Sequence, residues 1–331
     1  MIITRTPFRI SFAGGGSDLP AFYRKNGGAV LSTTIDKYMF IAIHPFFDTK
    51  KTQLKYSKTE LVSSFDDIQH PIFREVLKMY NISGVDINSI ADIPSGTGLG
   101  SSSSFTVGLL QAINAYQGKY IAPEQLASLA CHIEIERLGE PIGKQDQYAA
   151  AYGGLNFITF YPDDTVNVEK IIMNAEKKKE LEENLFMVYT GDVRSASSIL
   201  HQQSQNISRS DLSAAQQQMV TLTYNLRDAL HANNHDDFGR ILHEGWLLKK
   251  TLTNTISTDH IDTIYEKGIA AGATGGKLLG AGGGGFILLY CPKEKQEKFC
   301  ETMKEYRKLS FKFDNFGTKH IYIGENDYHG F

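Results

Sequence analysis

Apolar residues alternate or cluster in short runs along some stretches of the chain and recur at helical spacing along others, and the two patterns interleave. Residues 1–13 read as a strand that runs into Gly14-Gly15-Gly16-Ser17-Asp18. Two β-rich runs, 29–35 and 38–44, are separated only by Asp36-Lys37, and two residues between extended runs predict a hairpin. Helical spacing covers 71–80, and a strand-like run follows from Val85 to Ile93. Past a glycine- and serine-rich stretch, helical patterns cover 102–117 and 123–138, the second with Pro123 near its first turn. Gly153-Gly154 introduces a strand at 155–161, a turn at Pro162-Asp163-Asp164 and a paired strand at 166–172.

Beyond the charged stretch 174–184 the pattern predicts a strand at 185–189 and helices near 194–206, 211–233, 236–250 and 259–271. A strand–glycine–strand unit at 277–290, a helix at 293–307 and strands near 309–313 and 319–323 complete the chain. Hairpins mixed with helices, without strict β/α alternation, define an α+β fold. At 331 residues, with roughly 150 per domain, two lobes are expected. The charged stretch is the best boundary, which separates 1–173 from 184–331.

Composition narrows the classes. Hydrophobic residues make up 41% and charged residues 21%, ordinary values for a globular protein. A formal charge of −3 carries no footprint for nucleic acid or an anionic membrane. No apolar run is long enough to span a bilayer, and Met1 to Pro7 lacks the apolar core of a signal peptide. Cys131, Cys291 and Cys300 form no Cys-x-x-Cys pair, which argues for a reducing compartment and against a zinc site. A cytoplasmic location is expected. The run Lys177-Lys178-Lys179, flanked by glutamates, reads as a solvated helix face.

Four stretches can carry chemistry. In Pro94-Ser95-Gly96-Thr97-Gly98-Leu99-Gly100-Ser101-Ser102-Ser103-Ser104, alternate glycines let the backbone approach a ligand, and the serines open a helix whose N-terminus favours an anion. The spacing is neither a Walker loop nor a Rossmann fingerprint, and no protein-kinase triplet is present. Around the helix break at Pro141 and Gly143 lie Glu134 and Asp146; one carboxylate can hold Mg²⁺ and the other can accept a hydroxyl proton. Gly280 to Phe286 is denser in glycine than a bulge or turn requires, which suits contact with a ligand or another loop. Arg9 lies on the first strand and Asp18 just beyond the triple glycine. His231 and His235, one helical turn apart, read as solvent-facing polarity, and Trp246 as core.

Together these stretches resemble the GHMP family of small-molecule kinases. Pro94 to Ser104 is similar to the family's central P-x-G-x-G-L-G-S-S motif, Gly280 to Phe286 to its C-terminal G-A-G-G-G-G motif, and Thr6 to Asp18 to its first motif, with Phe8 where many members have Gly. The resemblance implies a two-lobed fold, with an N-terminal lobe like the second domain of ribosomal protein S5 and a C-terminal lobe related to the ferredoxin-like fold. It also implies an ATP- and Mg²⁺-dependent phosphotransferase.

On this resemblance, Pro94, Gly96, Thr97, Gly98, Leu99, Gly100, Ser101, Ser102 and Ser103 cradle the ATP phosphates. Ser102 and Glu134 hold the metal, Asp146 acts on the hydroxyl with Arg9 beside it, and Gly15, Gly16, Ser17, Asp18 and Gly283 meet the sugar. Gln145 departs from the Met usual in galactokinases. Thr6 to Pro20 and Tyr189 to Ser197 are most similar to the members that act on heptose 7-phosphate, whereas fucokinase-like members usually carry Trp at the place of Gly16. The implied reaction is phosphorylation of the anomeric hydroxyl of D-glycero-D-manno-heptose 7-phosphate, with a neutral-sugar kinase or a non-catalytic sensor as the alternatives. A sugar phosphate needs cations, for which Lys144 and Arg194 are the candidates. Lys144 can instead pair with Glu140, and Arg194 can cap its helix. The partners expected are the sugar phosphate and ATP, and a homodimer is compatible with the sequence.

Overall fold

The structure is a computed structural model that describes residues 1–192, 196–206 and 210–324. Strand β1 (Ile2–Ala13) leads through the triple-glycine turn into helix α1 (Pro20–Asn26) and the long strand β2 (Gly28–Pro45). Strands β3 (Thr52–Lys55) and β4 (Thr59–Val62), helix α2 (Pro71–Tyr80) and strand β5 (Val85–Ala91) follow. Then come helices α3 (Ser101–Tyr116), α4 (Pro123–Cys131) and α5 (Gln145–Tyr152), strands β6 (Leu155–Phe160) and β7 (Val166–Lys170), and helix α6 (Ala175–Glu183). The remainder is β8 (Leu185–Tyr189), α7 (Ala196–Asn206), α8 (Ser210–His231), α9 (Phe238–Thr251), α10 (Asp259–Ala271), β9 (Gly275–Leu278), β10 (Phe286–Tyr290), α11 (Gln296–Thr302), β11 (Lys308–Leu309), β12 (Phe313–Asp314) and β13 (Lys319–Ile323).

The expected hairpin at Asp36-Lys37 is not formed. β2 runs straight through these residues, and its pairing with β1 slips there: Pro7 faces Tyr38 while the adjacent Phe8 faces Ile35. The two extra residues form a bulge, which bends a strand without reversing it. Pro7 has no N–H to continue the ladder. The displaced groups find other partners: Asp36 exchanges backbone and carboxylate bonds with Lys312, and the Tyr38 N–H donates to Asp92. Beyond the bend, the first half of β2 pairs with β6 and the second half with β5.

Two sheets result. The first runs β13-β1-β2-β5-β3-β4, with β6 and β12 paired to the first half of β2 and β7 paired to β6; the second runs β11-β8-β10-β9. The closing strands at 313–314 and 319–323 therefore belong to the first sheet, although they follow the second in sequence. α3 packs on β1 and β2 and is buried almost all round, so its apolar residues show no single stripe. On β10 the alternation sends Phe286, Leu288 and Tyr290 into the core shared with the first sheet, and Ile287 and Leu289 into a second cluster with Trp246, Ile264 and Phe299. Phe12 of β1 meets Phe238 of α9 edge-on, with ring centroids 5.1 Å apart, which ties the two layers together. Trp246 is core, as expected. His231 is an exposed partner of Glu169, whereas His235 is buried against the Tyr290 hydroxyl rather than facing solvent.

Candidate active site

The cleft has a volume of about 310 Å³ and is walled by the triple-glycine turn, the glycine/serine loop, the segment before α5, and residues of α7, α9 and β9. At its centre Arg9 and Asp146 form a two-pronged ion pair: Nε donates to Oδ1 and Nη2 to Oδ2, both at 2.7 Å. The third arm of the guanidinium, Nη1, donates to the Gly98 carbonyl at 2.7 Å, and the Arg9 N–H donates to Leu99 O at 3.1 Å. One arginine on a central strand thus fixes both the carboxylate and the phosphate-type loop. Planar forked bonding of this kind sets direction as well as distance. Asp146 keeps one edge open to the cleft, with its side chain 23% exposed against 5% for Arg9.

The loop enters α3 through Gly100, so the first-turn N–H groups of the helix lie beyond any intrahelical acceptor. Gly96, Gly98, Gly100, Ser101, Ser102 and Ser103 line the cleft. Pro94, Thr97 and Leu99 shape the loop from behind: Thr97 Oγ1 donates to Pro94 O, and Leu99 is buried. The second glycine cluster braces it. A Cβ on Gly98 would sit 2.5 Å from Leu279 O, and one on Gly280 would sit 2.5 Å from Gly98 Cα. Two backbones meet there with no room for side chains, which accounts for a glycine density that a simple turn does not need.

Behind the loop, α4 loosens into π-helical turns over His132–Arg137. This departure from a plain helix carries Glu134 inward, a use that such irregular turns often have. Glu134 is 1% exposed. Its Oε1 accepts from Ser102 Oγ at 2.7 Å and its Oε2 from Gln147 Nε2 at 2.7 Å. Burial pushes its carboxyl above the ordinary range, opposed by the bonds from Ser102, Ser103 and Gln147. A hydroxyl and a carboxylate side by side on a phosphate-type loop are oxygen donors of the sort a small hard cation takes, with the rest of its sphere left for phosphate and water. The donor set fits Mg²⁺.

Opposite the loop, Asp18 is buried at the wall. Its Oδ1 accepts from the Gly16 N–H at 2.9 Å and from Gln145 Nε2 at 3.1 Å, and its Oδ2 from the Gln145 N–H at 3.2 Å. Burial raises its carboxyl, and the charge of Asp146 adds to the rise. Gly143 lets the carboxylate in, since a Cβ there would lie 1.9 Å from Asp18 Oδ2. Gly15 and Gly16 line the cleft next to it.

Four of the expected substrate residues lie away from the cleft or outside the described residues. Lys144 turns away from the cleft and pairs with Asp164 at 3.2 Å, over the Tyr23 ring; Glu140, its expected partner, bonds Ser197 instead. Ser17 is buried in a bond to Ala29, and Gly283 is anchored to Ile256 O, so Gly280 and Ala281 face the cleft in its place. Arg194 lies outside the described residues. Conversely, Lys249, Lys277 and Gln203 line the cleft without having stood out in sequence. Single lysines on apolar elements carry no motif.

A loop that presents backbone N–H groups at a helix start, next to a metal-type donor pair and an arginine-held carboxylate, is the machinery of a kinase acting on small molecules. The family domains described as "GHMP kinases N terminal domain" and "GHMP kinases C terminal" match residues 68–154 and 226–308, together just over half of the chain, and the chain belongs to the GHMP kinase family. It is therefore an ATP-dependent phosphotransferase with an alcohol group as acceptor, of sugar-kinase type. It is 29% identical to the D-glycero-alpha-D-manno-heptose 7-phosphate kinase of Campylobacter jejuni, over 96% of this chain and 98% of that one. It is 28% identical to the bifunctional fucokinase/GDP-fucose pyrophosphorylase of Arabidopsis thaliana, over 94% of this chain and 32% of that one. The crystal structure of a D-glycero-D-manno-heptose 1-phosphate kinase from Bacteroides thetaiotaomicron shares the fold, with a TM-score of 0.78 at 24% identity, over 98% of this chain and 100% of that one. Among the described residues no helix is long and apolar enough to cross a membrane.

Proposed function

We propose that the protein transfers the γ-phosphoryl group of ATP to the anomeric hydroxyl of D-glycero-D-manno-heptose 7-phosphate, giving ADP and the 1,7-bisphosphate. The observation that carries the reading is the Arg9–Asp146 pair, open to a cleft that has a phosphate-type loop on one side and Asp18 on the other. The Campylobacter relative's name, over nearly the full length of both chains, supports heptose 7-phosphate as acceptor.

In this reading residues 1–173 form the ATP lobe and 184–331 the second lobe, with the closing strands returning to the first sheet. N–H groups of Gly96 to Ser103 take the ATP phosphates, and Gly15, Gly16 and Asp18 take the sugar hydroxyls. Ser102 and Glu134 hold Mg²⁺, which when bound supplies positive charge to the phosphate oxygens. Asp146 accepts a hydrogen bond from the anomeric O–H and aims its oxygen at the γ-phosphorus. As the new P–O bond forms and the bond to ADP breaks, the proton passes to Asp146 and then to solvent. Because Arg9 already occupies both carboxylate oxygens, Asp146 acts more by orientation than by early proton removal. Arg9 also steadies charge next to the transferring group. Catalysis is by positioning and electrostatics, in the cytoplasm, where ATP and sugar phosphates are at hand.

The fucokinase relative keeps a neutral sugar as the competing acceptor. The deciding experiment is ATP consumption with heptose 7-phosphate, free heptose, fucose and galactose, with products identified by phosphorus NMR. Heptose 7-phosphate is expected to be preferred by about 100-fold in kcat/KM or more. Equal or better turnover of a neutral sugar overturns the assignment.

A further inference from the structure

Two lysines in the cleft have no part in the transfer step described above. Lys249 of α9 and Lys277 of β9 are only 5% and 6% exposed. Each makes one bond to a backbone carbonyl: Lys277 Nζ donates to Ser11 O at 2.8 Å, and Lys249 Nζ to Gly280 O. An ammonium group has three donors, so two remain on each. Among the described residues neither lysine forms an ion pair, and Asp18, the carboxylate whose field reaches both, has its oxygens bonded to Gly16 and Gln145. Arg9 is bonded to Asp146, and its positive charge repels both lysines. Two buried cations side by side without a counter-ion are costly, and a chain retains them where a ligand supplies the missing charge.

Two further donors at the same wall lack partners. Gln203 Nε2 and Ser11 Oγ are buried and, among the described residues, make no hydrogen bond. Both lie against the triple-glycine turn: a Cβ on Gly16 would be 2.2 Å from Gln203 Nε2, and one on Gly15 would be 3.8 Å from Ser11 Oγ. Amide, hydroxyl and ammonium donors thus share one cleft: Lys277, Ser11 and Gln203 on the side of Gly15 and Gly16, and Lys249 bonded to Gly280 where that residue meets the loop. Two ammonium groups and two unpaired donors outweigh the unpaired oxygens Gln145 Oε1 and Gln216 Oε1 at that wall, and this excess of donors and positive charge is complementary to a phosphate dianion.

We propose that Lys249 and Lys277, with Gln203 and Ser11, form the subsite for the phosphate that the acceptor already carries, so that the enzyme selects a phosphorylated sugar over the free one. This rests on the sugar-kinase reading above but not on the identity of the sugar. With no ligand, burial and the nearby Arg9 charge hold Lys249 down at about 8, and burial with repulsion from Lys249 and Arg9 holds Lys277 well below its ordinary range. A bound dianion restores their charge.

The test pairs each phosphosugar with its free counterpart. Lys249→Met and Lys277→Met, which nearly conserve volume, are each expected to raise KM for heptose 7-phosphate by about 10–100-fold. KM for ATP and kcat/KM for free heptose should change by less than about threefold, which also reports that the variants are folded. As a measurement on the intact enzyme, phosphite dianion added to free heptose should raise its turnover about tenfold or more in the wild type, and not in either variant. Equal losses on heptose 7-phosphate and free heptose would overturn the subsite and assign the lysines to the transferring phosphoryl group. So would a wild type that turns over heptose 7-phosphate well yet shows no phosphite activation. Should the wild type prefer another phosphosugar, with the same lysine dependence, the heptose assignment fails and the subsite stands.

Discussion

The two halves of the cleft handle charge in opposite ways. Around the loop, every charged group has its partner within the protein: Arg9 holds Asp146 through two bonds, and Ser102 and Gln147 hold the two oxygens of Glu134. Elsewhere in the cleft, Lys249 and Lys277 are buried to a similar degree but, among the described residues, bond only carbonyl oxygens. On the proposed function and subsite, the difference separates two tasks. Groups that must be aimed before the reaction starts are fixed by the fold, because positioning supplies most of the rate in phosphoryl transfer. Groups that must recognise an anion are left unpaired, because an internal partner would compete with the ligand.

Breaking the paired half should have the largest effect. Asp146→Asn keeps the shape but loses the charge that anchors Arg9 and receives the proton, and kcat is expected to fall about 10²–10⁴-fold, with KM for ATP little changed, in a coupled ADP-release assay. Next comes Glu134→Gln, which removes one proposed metal ligand. Activity at fixed Mg²⁺ should drop on the order of 10²-fold and be partly recovered by raising Mg²⁺, seen as a shifted metal titration.

In the unpaired half the third effect is on stability, and its sign is reversed. Lys249→Met removes a buried cation and should stabilise the ligand-free protein by about 1–3 kcal/mol at neutral pH, while impairing phosphosugar binding. In the folded chain Lys249 titrates at about 8, against its ordinary value of 10.5. Between those values the unfolded chain binds the proton more tightly, so this residue's contribution to stability rises with pH across that window, and its cost is full below it. Denaturant unfolding of both proteins should therefore show a gap at about pH 7 that narrows towards pH 10. The smallest effect should come from Lys144→Ala. Held by Asp164 outside the cleft, Lys144 should leave KM for the phosphosugar within about twofold and stability within about 1 kcal/mol.

The paired half was legible in the sequence, and the unpaired half was not. Pro94 to Ser104, Glu134, Asp146, Arg9 and Asp18 belong to local patterns of fixed spacing, and the fold gathers them into one cleft. Lys249 and Lys277 are isolated lysines in apolar surroundings, and only the packing of α9 on β9 and β1, with the Lys277–Ser11 bond, reveals where they point. Lys144 misled because its carboxylate partner, Asp164, is supplied by a turn twenty residues further on. The bulge at Asp36-Lys37 was read as a turn because the residues that absorb its free backbone groups, Asp92 and Lys312, are distant in sequence. The same limit hid the return of β12 and β13 to the first sheet, since strand pairing over such separations leaves no periodic trace.

The most direct test of the division of labour is the rate of phosphoryl transfer at saturating ATP and heptose 7-phosphate in the wild type, Asp146→Asn and the Lys249→Met/Lys277→Met double variant. The account predicts that the double variant regains the wild-type kcat to within about threefold once enough phosphosugar is supplied, while Asp146→Asn stays at least about 100-fold slower at any concentration. A double variant that remains as slow as Asp146→Asn at saturation, or an Asp146→Asn enzyme with wild-type kcat, would contradict it.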